Sequence, residues 1–389
     1  MSNEMNSTLA GKKIMIVFGT RPEAIKLSPV IQALKEDGNF KIVVCSTGQH
    51  REMLKQVLDI FNIEVDDDLD LMKPNQTLFD ITADSLVRLK GSIEKHQPEI
   101  IMVQGDTTTA FTSALAAYYK NVKVAHVEAG LRSYDLFHPF PEEANRRFIS
   151  VISDYNFVPT GDAKKNLIQE GFSAESIYVT GNTVVDALLQ IKVKIDDPNY
   201  SEKIKSNFEF KLGQNLFSKK LILITLHRRE KFGEELKDLL YTLKDLAEKY
   251  PDYNFIYPVH LNPNVVNPVR EILGTRENFI LTQPLDYLNF LYLMSKCHFI
   301  MSDSGGVQEE CYVFNKPIIV MREVTERNEA IRAGYAFLTG SDKEIILSRF
   351  SEIDSKIDSG FNFFTTENPY GDGKASGRIV EIFRSKSVN

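Results

Sequence analysis

Asp106 (in QGDTTT), Glu128 (in HVEAG) and Glu142 (in PEEANRR) are acidic residues placed just beyond short apolar runs or at the opening of polar turns. Gathered in one cleft, three carboxylates raise one another's pKa into the range useful for general acid and base catalysis. Each also has a plainer use. Asp106 suits the cap of a helix beginning in the threonines, and Glu142 follows Pro141 as an acid in a first helical turn, where the helix dipole favours it. His126 and Glu128 are two apart on an extended run and therefore share a face, as a structural pair or a catalytic one.

Cations and donors occupy similar places. Arg21 and Lys26 follow Gly19-Thr20 at the entrance of a helix, suited to a phosphate or a polar substrate group. Farther on, His227 and Arg228 (LHRRE) offer donors to a phosphate, while His260 (PVHLNP) reads as a turn histidine or a ligand contact. The segment Met301-Ser302-Asp303-Ser304-Gly305-Gly306 ends an apolar run in a small turn that opens a helix, so free backbone N–H groups at Ser304, Gly305 and Gly306 form a diphosphate cradle. Glu310, under two turns along that helix, reaches the ribose hydroxyls of a nucleotide so held.

Other chemistries are excluded. The dinucleotide fingerprint GxGxxG is absent after the first apolar run, so no NAD is expected, and no other cofactor is implied. Cys45, Cys297 and Cys311 are odd in number with no CxxC spacing, and the seven histidines form no HxxxH pair, so no metal is expected. A net charge of −7 argues against a nucleic-acid partner. The first ten residues are polar, and no run approaches the roughly 20 apolar residues of a membrane span, so the protein is expected to be cytoplasmic with no membrane partner.

The elements that must position these residues alternate. Apolar runs at Lys13–Gly19, Lys41–Ser46, Ile100–Gln104 and Val122–Val127 read as buried strands, with helical spacing over Leu27–Lys35 and Thr108–Tyr119. A second series runs through Leu221–Thr225, Asn254–Val259, Phe279–Thr282, His298–Ser302 and Pro317–Met321. Between the two lies a polar stretch at 196–220, and the chain ends in a turn-rich NPYGDG followed by a helical pattern over Lys374–Phe383. At 389 residues the chain is long enough for two cores. The expectation is an α/β protein of two doubly wound parallel-sheet domains, 12–186 and 187–370, with the last helix, 371–389, packing back on the first.

The segments FGTRPEAIK, GDTTTA, HVEAGLRS, PFPEEANRR, HRREKFG, SDSGGVQEE, TERNEA and NPYGDGKAS, in that order along almost the whole chain, resemble the motif series of the non-hydrolysing UDP-N-acetylglucosamine 2-epimerases. The resemblance implies two Rossmann-like domains of the glycosyltransferase-B type with the active site in the interdomain cleft, a homodimer, and interconversion of UDP-GlcNAc with UDP-ManNAc for surface polysaccharide synthesis. By motif position it implies catalytic roles for Asp106, Glu128, Glu142 and His227. Substrate binding would fall to Arg21, Lys26, Arg146, Arg327, Ser304, Gly305, Gly306 and Glu310. Gln49, Arg228 and His260 match the region that serves as an allosteric site for UDP-GlcNAc, although Glu52 stands where glutamine is typical and Asn75 where arginine is typical. Asn328 replaces the usual proline after Arg327.

Chemistry constrains the reaction further. The C2 hydrogen of the sugar is not adjacent to a carbonyl, and no nicotinamide is expected to oxidise the ring, so UDP must leave C1 first. Loss of UDP acidifies C2, a carboxylate removes the proton to give 2-acetamidoglucal, and re-addition with protonation of the opposite face completes the inversion. A hydrolysing epimerase, a retaining glycosyltransferase and a nucleotide-sugar binding protein are the alternatives.

Overall fold

The computed structural model describes residues 11–48, 51–73, 76–213, 216–226, 234–259, 261–274, 276–325 and 327–386. These residues form two compact units. One runs up to Ala187 and resumes at Tyr370; the other is Leu188–Pro369.

The first unit holds a seven-stranded sheet built from β1 (Lys12–Phe18), β2 (Phe40–Ser46), β3 (Asp67–Asp68), β4 (Ile100–Gln104), β5 (Lys123–Val127), β6 (Tyr155–Val158) and β7 (Ile177–Val179), in the order β3-β2-β1-β4-β5-β6-β7. The second holds a six-stranded sheet of β8 (Lys220–Thr225), β9 (Tyr253–Pro258), β10 (Phe279–Thr282), β11 (Phe299–Ser302), β12 (Ile318–Val320) and β13 (Ala336–Leu338), in the order β10-β9-β8-β11-β12-β13. All pairings are parallel. Parallel strands covered on both faces need continuous apolar sequence, and β4 (IIMVQ) is buried along its whole length. Both sheets are Rossmann-like, each reversing direction between its first strand and the fourth. That puts switch points at β1/β4 and at β8/β11, where ligands of such sheets bind beyond the carboxyl ends.

The first helix runs Arg21–Asp37, a turn and a half earlier than its apolar spacing over 27–35 suggests. Its opening turn is polar because a capping box, not a buried stripe, starts it: Thr20 and Glu23 cap one another's backbone, and Gly38 in the left-handed region (φ 73°) ends it. The polar stretch after 196 is a helix, Pro198–Leu212, and no simple linker. Asp197 caps it, Pro198 supplies the first turn, and the i,i+4 pair Ile204 and Phe208 is buried, with Phe208 stacked on Tyr292.

The closing helix Ala375–Lys386 packs against Arg21–Asp37. Phe383 is inserted among Phe40, Tyr155 and Phe157, and Asp186 accepts hydrogen bonds from the Ala375 and Ser376 amides and the Ser376 hydroxyl. Among the described residues no helix is long and apolar enough to cross a membrane.

Candidate active site

At the first switch point the loops after β1, β4 and β5 bring the expected charges together in pairs. Glu128 follows β5 directly and takes φ 67°, a conformation that costs a non-glycine residue on the order of 1–3 kcal/mol. Its Oε2 is held by two donors, Lys26 Nζ at 2.5 Å and Gln104 Nε2 at 2.7 Å. Gln104, the buried last residue of β4, was not foreseen as a site residue. It reads as ordinary strand sequence, and only the β4–β5 register, which sets Gln104 opposite Val127, brings it to Glu128.

Asp106 is paired with Arg146, whose Nε and Nη2 lie 2.8 Å and 2.7 Å from Asp106 Oδ2. Arg146 is fixed from behind by the wholly buried Glu143, which accepts from its Nη1 at 3.1 Å and from Arg147 Nε at 3.2 Å. Asn145 Nδ2 donates to the Asp106 carbonyl at 2.9 Å. The helix Glu142–Ile152 therefore presents Glu142 in its first turn and uses its next four residues but one to brace the Asp106 loop. Glu143 is the second residue missed from sequence: adjacent acids at a helix start look alike until one is seen to be buried.

His126 does not emerge beside Glu128 as a site histidine. It is fully buried, its Nε2 pairs with the Gly105 carbonyl at 2.7 Å, and burial pushes its pKa down to about 4. A neutral ring donating from Nε2 explains the contact, so His126 ties β5 to the loop carrying Asp106. Arg21 is half-buried as the first residue of its helix.

At the second switch point the turn Asp303–Gly306 follows β11. Ser302 Oγ bonds Thr225 Oγ1 at 2.6 Å across the β8/β11 boundary and accepts from the Ser304 amide at 2.9 Å. Ser304 is the N-cap of Gly305–Glu310 yet makes no side-chain cap bond. Among the described residues, its chain neighbours and own helix backbone aside, a Cβ placed on Gly306 would meet only Ser304 Oγ, at 4.0 Å, so these residues leave room at the turn. Arg327 lies over Gly305 and donates from Nε to the buried Glu309 at 2.9 Å. Glu310 Oε1 accepts from the buried Tyr287 hydroxyl at 2.8 Å. His227, Arg228, Gln49 and His260 lie outside the described residues.

A possible set of metal ligands, His298, Asp354 and Asp358, occurs at the opposite, amino-terminal edge of the second sheet. Lys220 Nζ already serves those acids, at 3.2 Å from Asp354 and 2.6 Å from Asp358, and Tyr253 donates to Asp354. The arrangement is an ion-pair network joining the strand starts to the helix Lys343–Asp358.

Two Rossmann-like units with acids at one switch point and a glycine turn at the other define an α/β protein suited to a nucleotide-bearing substrate. The chain belongs to the UDP-N-acetylglucosamine 2-epimerase family, whose model matches residues 32–384. It is 47% identical over 374 residues to the UDP-N-acetylglucosamine 2-epimerase of Campylobacter jejuni, covering 95% of this chain and 97% of that one. The Escherichia coli K12 enzyme is 44% identical over 377 residues, covering 97% and 100%. The crystal structure of the Neisseria meningitidis UDP-GlcNAc 2-epimerase bound to UDP-GlcNAc superposes with a TM-score of 0.90 at 45% identity, over 96% of this chain and all (100%) of that one. The Methanocaldococcus jannaschii enzyme in complex with UDP-GlcNAc and UDP gives 0.81 at 34% identity, over 96% and 99%. A glycosyltransferase from Rickettsia africae, 15% identical with a TM-score of 0.60 over 96% and 98%, shares the fold alone. The chain is an enzyme of the isomerase class.

Proposed function

We propose that the protein interconverts UDP-GlcNAc and UDP-ManNAc without hydrolysis, by eliminating UDP to 2-acetamidoglucal and adding it back. The observation that carries this reading, in a chain of this family, is the prepaired acid set of the first unit: Glu128 on Lys26 and Gln104, Asp106 on Arg146. Inverting C2 through a glucal needs groups that take a proton from one face and return one to the other, and carboxylates held by cations and amides are preorganised for it.

Asp106, Glu128 and Glu142 handle the protons. Arg21, His227, Arg327 and the Ser304-Gly305-Gly306 turn stabilise the departing diphosphate, Lys26 and Arg146 orient acids and substrate, and Glu310 takes the ribose. The room that the described residues leave at Gly306 supports the diphosphate assignment. Gln49, Arg228 and His260 are the residues assigned to regulation by UDP-GlcNAc.

A homodimer is part of the reading. The neighbouring helices Leu78–His96, Thr108–Tyr119 and Glu142–Ile152 expose Phe79, Val87, Tyr118, Tyr119, Phe148 and Val151, an apolar spread suited to a second copy. The cytoplasm, where nucleotide sugars are made, is its place of action, with surface polysaccharide as the destination of its product.

The test is incubation with UDP-GlcNAc and no acceptor, with products read by NMR. UDP-ManNAc is expected. Free ManNAc with UDP would mark a hydrolysing enzyme, and no turnover without an acceptor would point to a glycosyltransferase.

A further inference from the structure

Glu23 is a buried acid to which the mechanism above gives no part. It is 1% exposed. Its Oε2 accepts from the Gly19 amide at 2.9 Å, the Thr20 amide at 2.7 Å and the Thr20 hydroxyl at 2.9 Å, while Oε1 accepts from the Thr107 hydroxyl. None of these partners is a cation, so a charge here is costly unless every donor is well placed.

Helix capping accounts for only half of this. A capping box uses one acid to serve its own N-cap, as Asp80 does for Thr77 at the exposed start of Leu78–His96. Glu23 does the same for Thr20, but its other oxygen crosses to Thr107, 84 residues away in sequence. Thr107 is itself the N-cap of Thr108–Tyr119, accepting from the Ala110 amide at 3.1 Å, and it directly follows Asp106. One carboxylate thus joins the caps of the two helices that flank the β1/β4 switch point. The first of those helices carries Arg21 and Lys26.

We propose that Glu23 is a positioning residue for the epimerase reaction, clamping Thr20 to Thr107 so that Asp106 is held in register with Lys26 and, through it, with Glu128. The inference rests on the proton-handling roles proposed above. Glu23 itself touches no substrate in this scheme; it acts through the two loops.

Burial supports a functional reason for the residue. It pushes the Glu23 carboxyl above the usual carboxylate range. A raised folded pKa contributes stability below the ordinary value that is lost as pH rises, so at neutral pH this acid burdens the fold relative to a neutral side chain.

The test compares kcat, KM and Tm of Glu23→Ala, Glu23→Gln, Thr107→Val, Glu23→Ala with Thr107→Val, and Asp80→Ala. Glutamine can still accept from Gly19 and Thr20 while its amide donates to Thr107. Glu23→Ala is expected to lower kcat about 100-fold with KM within about 3-fold, the scale of a misplacement of about 1 Å. Glu23→Gln is expected to recover to within about 5-fold of wild type, with a Tm at or above it. The double variant should be no slower than either single one, because both cut the same link.

Asp80→Ala, which removes an equivalent cap elsewhere, should keep full kcat. Glu23→Ala turning over within about 3-fold of wild type would overturn the assignment, as would equal losses for Glu23→Ala and Asp80→Ala. If Glu23→Ala does not fold, Thr107→Val decides: full kcat overturns the clamp. Failure of the wild type to epimerise UDP-GlcNAc would instead sink the proposed function itself.

Discussion

The two sheets share the order 3-2-1-4-5-6 over their first six strands, the first sheet adding a seventh, yet their switch points are furnished differently. Beyond β1, β4 and β5 the chain places side-chain charges and braces each with a partner: Glu128 by Lys26 and Gln104, Asp106 by Arg146, Arg146 by Glu143. Beyond β11, among the described residues, it places backbone, with a serine and two glycines opening a short helix and Arg327 laid over the first glycine. Proton transfer needs ionisable groups at set distances. Holding a diphosphate needs N–H groups and room. A common scaffold accommodates both because the fold dictates where loops end, not what they carry.

The largest expected effect lies on the first edge. Glu128→Gln removes a proton acceptor while keeping the shape, so kcat should fall about 1,000-fold with UDP affinity almost unchanged, as turnover assays and calorimetry would show. Comparable losses of kcat and of UDP binding would break the division of labour between the edges.

His126 comes next, because its contact with the Gly105 carbonyl holds the Asp106 loop. Its pKa falls from 6.5 to about 4 on folding, so the stability tied to its neutral form is complete above pH 6.5 and disappears as pH drops toward 4. The shift corresponds to about 3 kcal/mol at most. In urea unfolding, His126→Gln should be less stable than wild type at pH 7, with the gap closing through this window; a gap constant with pH would contradict the assignment.

A smaller effect separates glycines. On Gly306 a new Cβ meets, among the described residues, only Ser304 Oγ at 4.0 Å, so Gly306→Val should leave Tm unchanged and weaken UDP about 30-fold, roughly 2 kcal/mol of lost binding. On Gly19 a Cβ would lie 2.2 Å from Thr47 Oγ1 and 2.7 Å from Thr109 Oγ1, so Gly19→Ala should lower stability by about 1–3 kcal/mol. Thermal melts with and without UDP distinguish the two.

Much of this was legible in the residues, for physical reasons. Central strands such as Ile100–Gln104 and Phe299–Ser302 read clearly because burial on both faces demands unbroken apolar sequence. The strands Asp67–Asp68, Ile177–Val179 and Ala336–Leu338, at sheet edges and two or three residues long, and Tyr155–Val158, interrupted by Asn156, did not. The acids and the glycine turn stood out by type and place. Gln104, Glu143 and the far reach of Glu23 did not, because each acts through a partner distant in sequence or through burial. The TxxE capping box at Thr20 was the one available signal, and it shows the local half of Glu23 alone.

The chemical claim common to all of this is that the C2 proton leaves to a protein carboxylate and a different one returns from solvent. Incubation with UDP-GlcNAc alone in heavy water, followed by NMR of the sugar ring, tests it directly. Deuterium at C2 of the UDP-ManNAc formed is the expected result; inverted product still carrying its original hydrogen at C2 would contradict it.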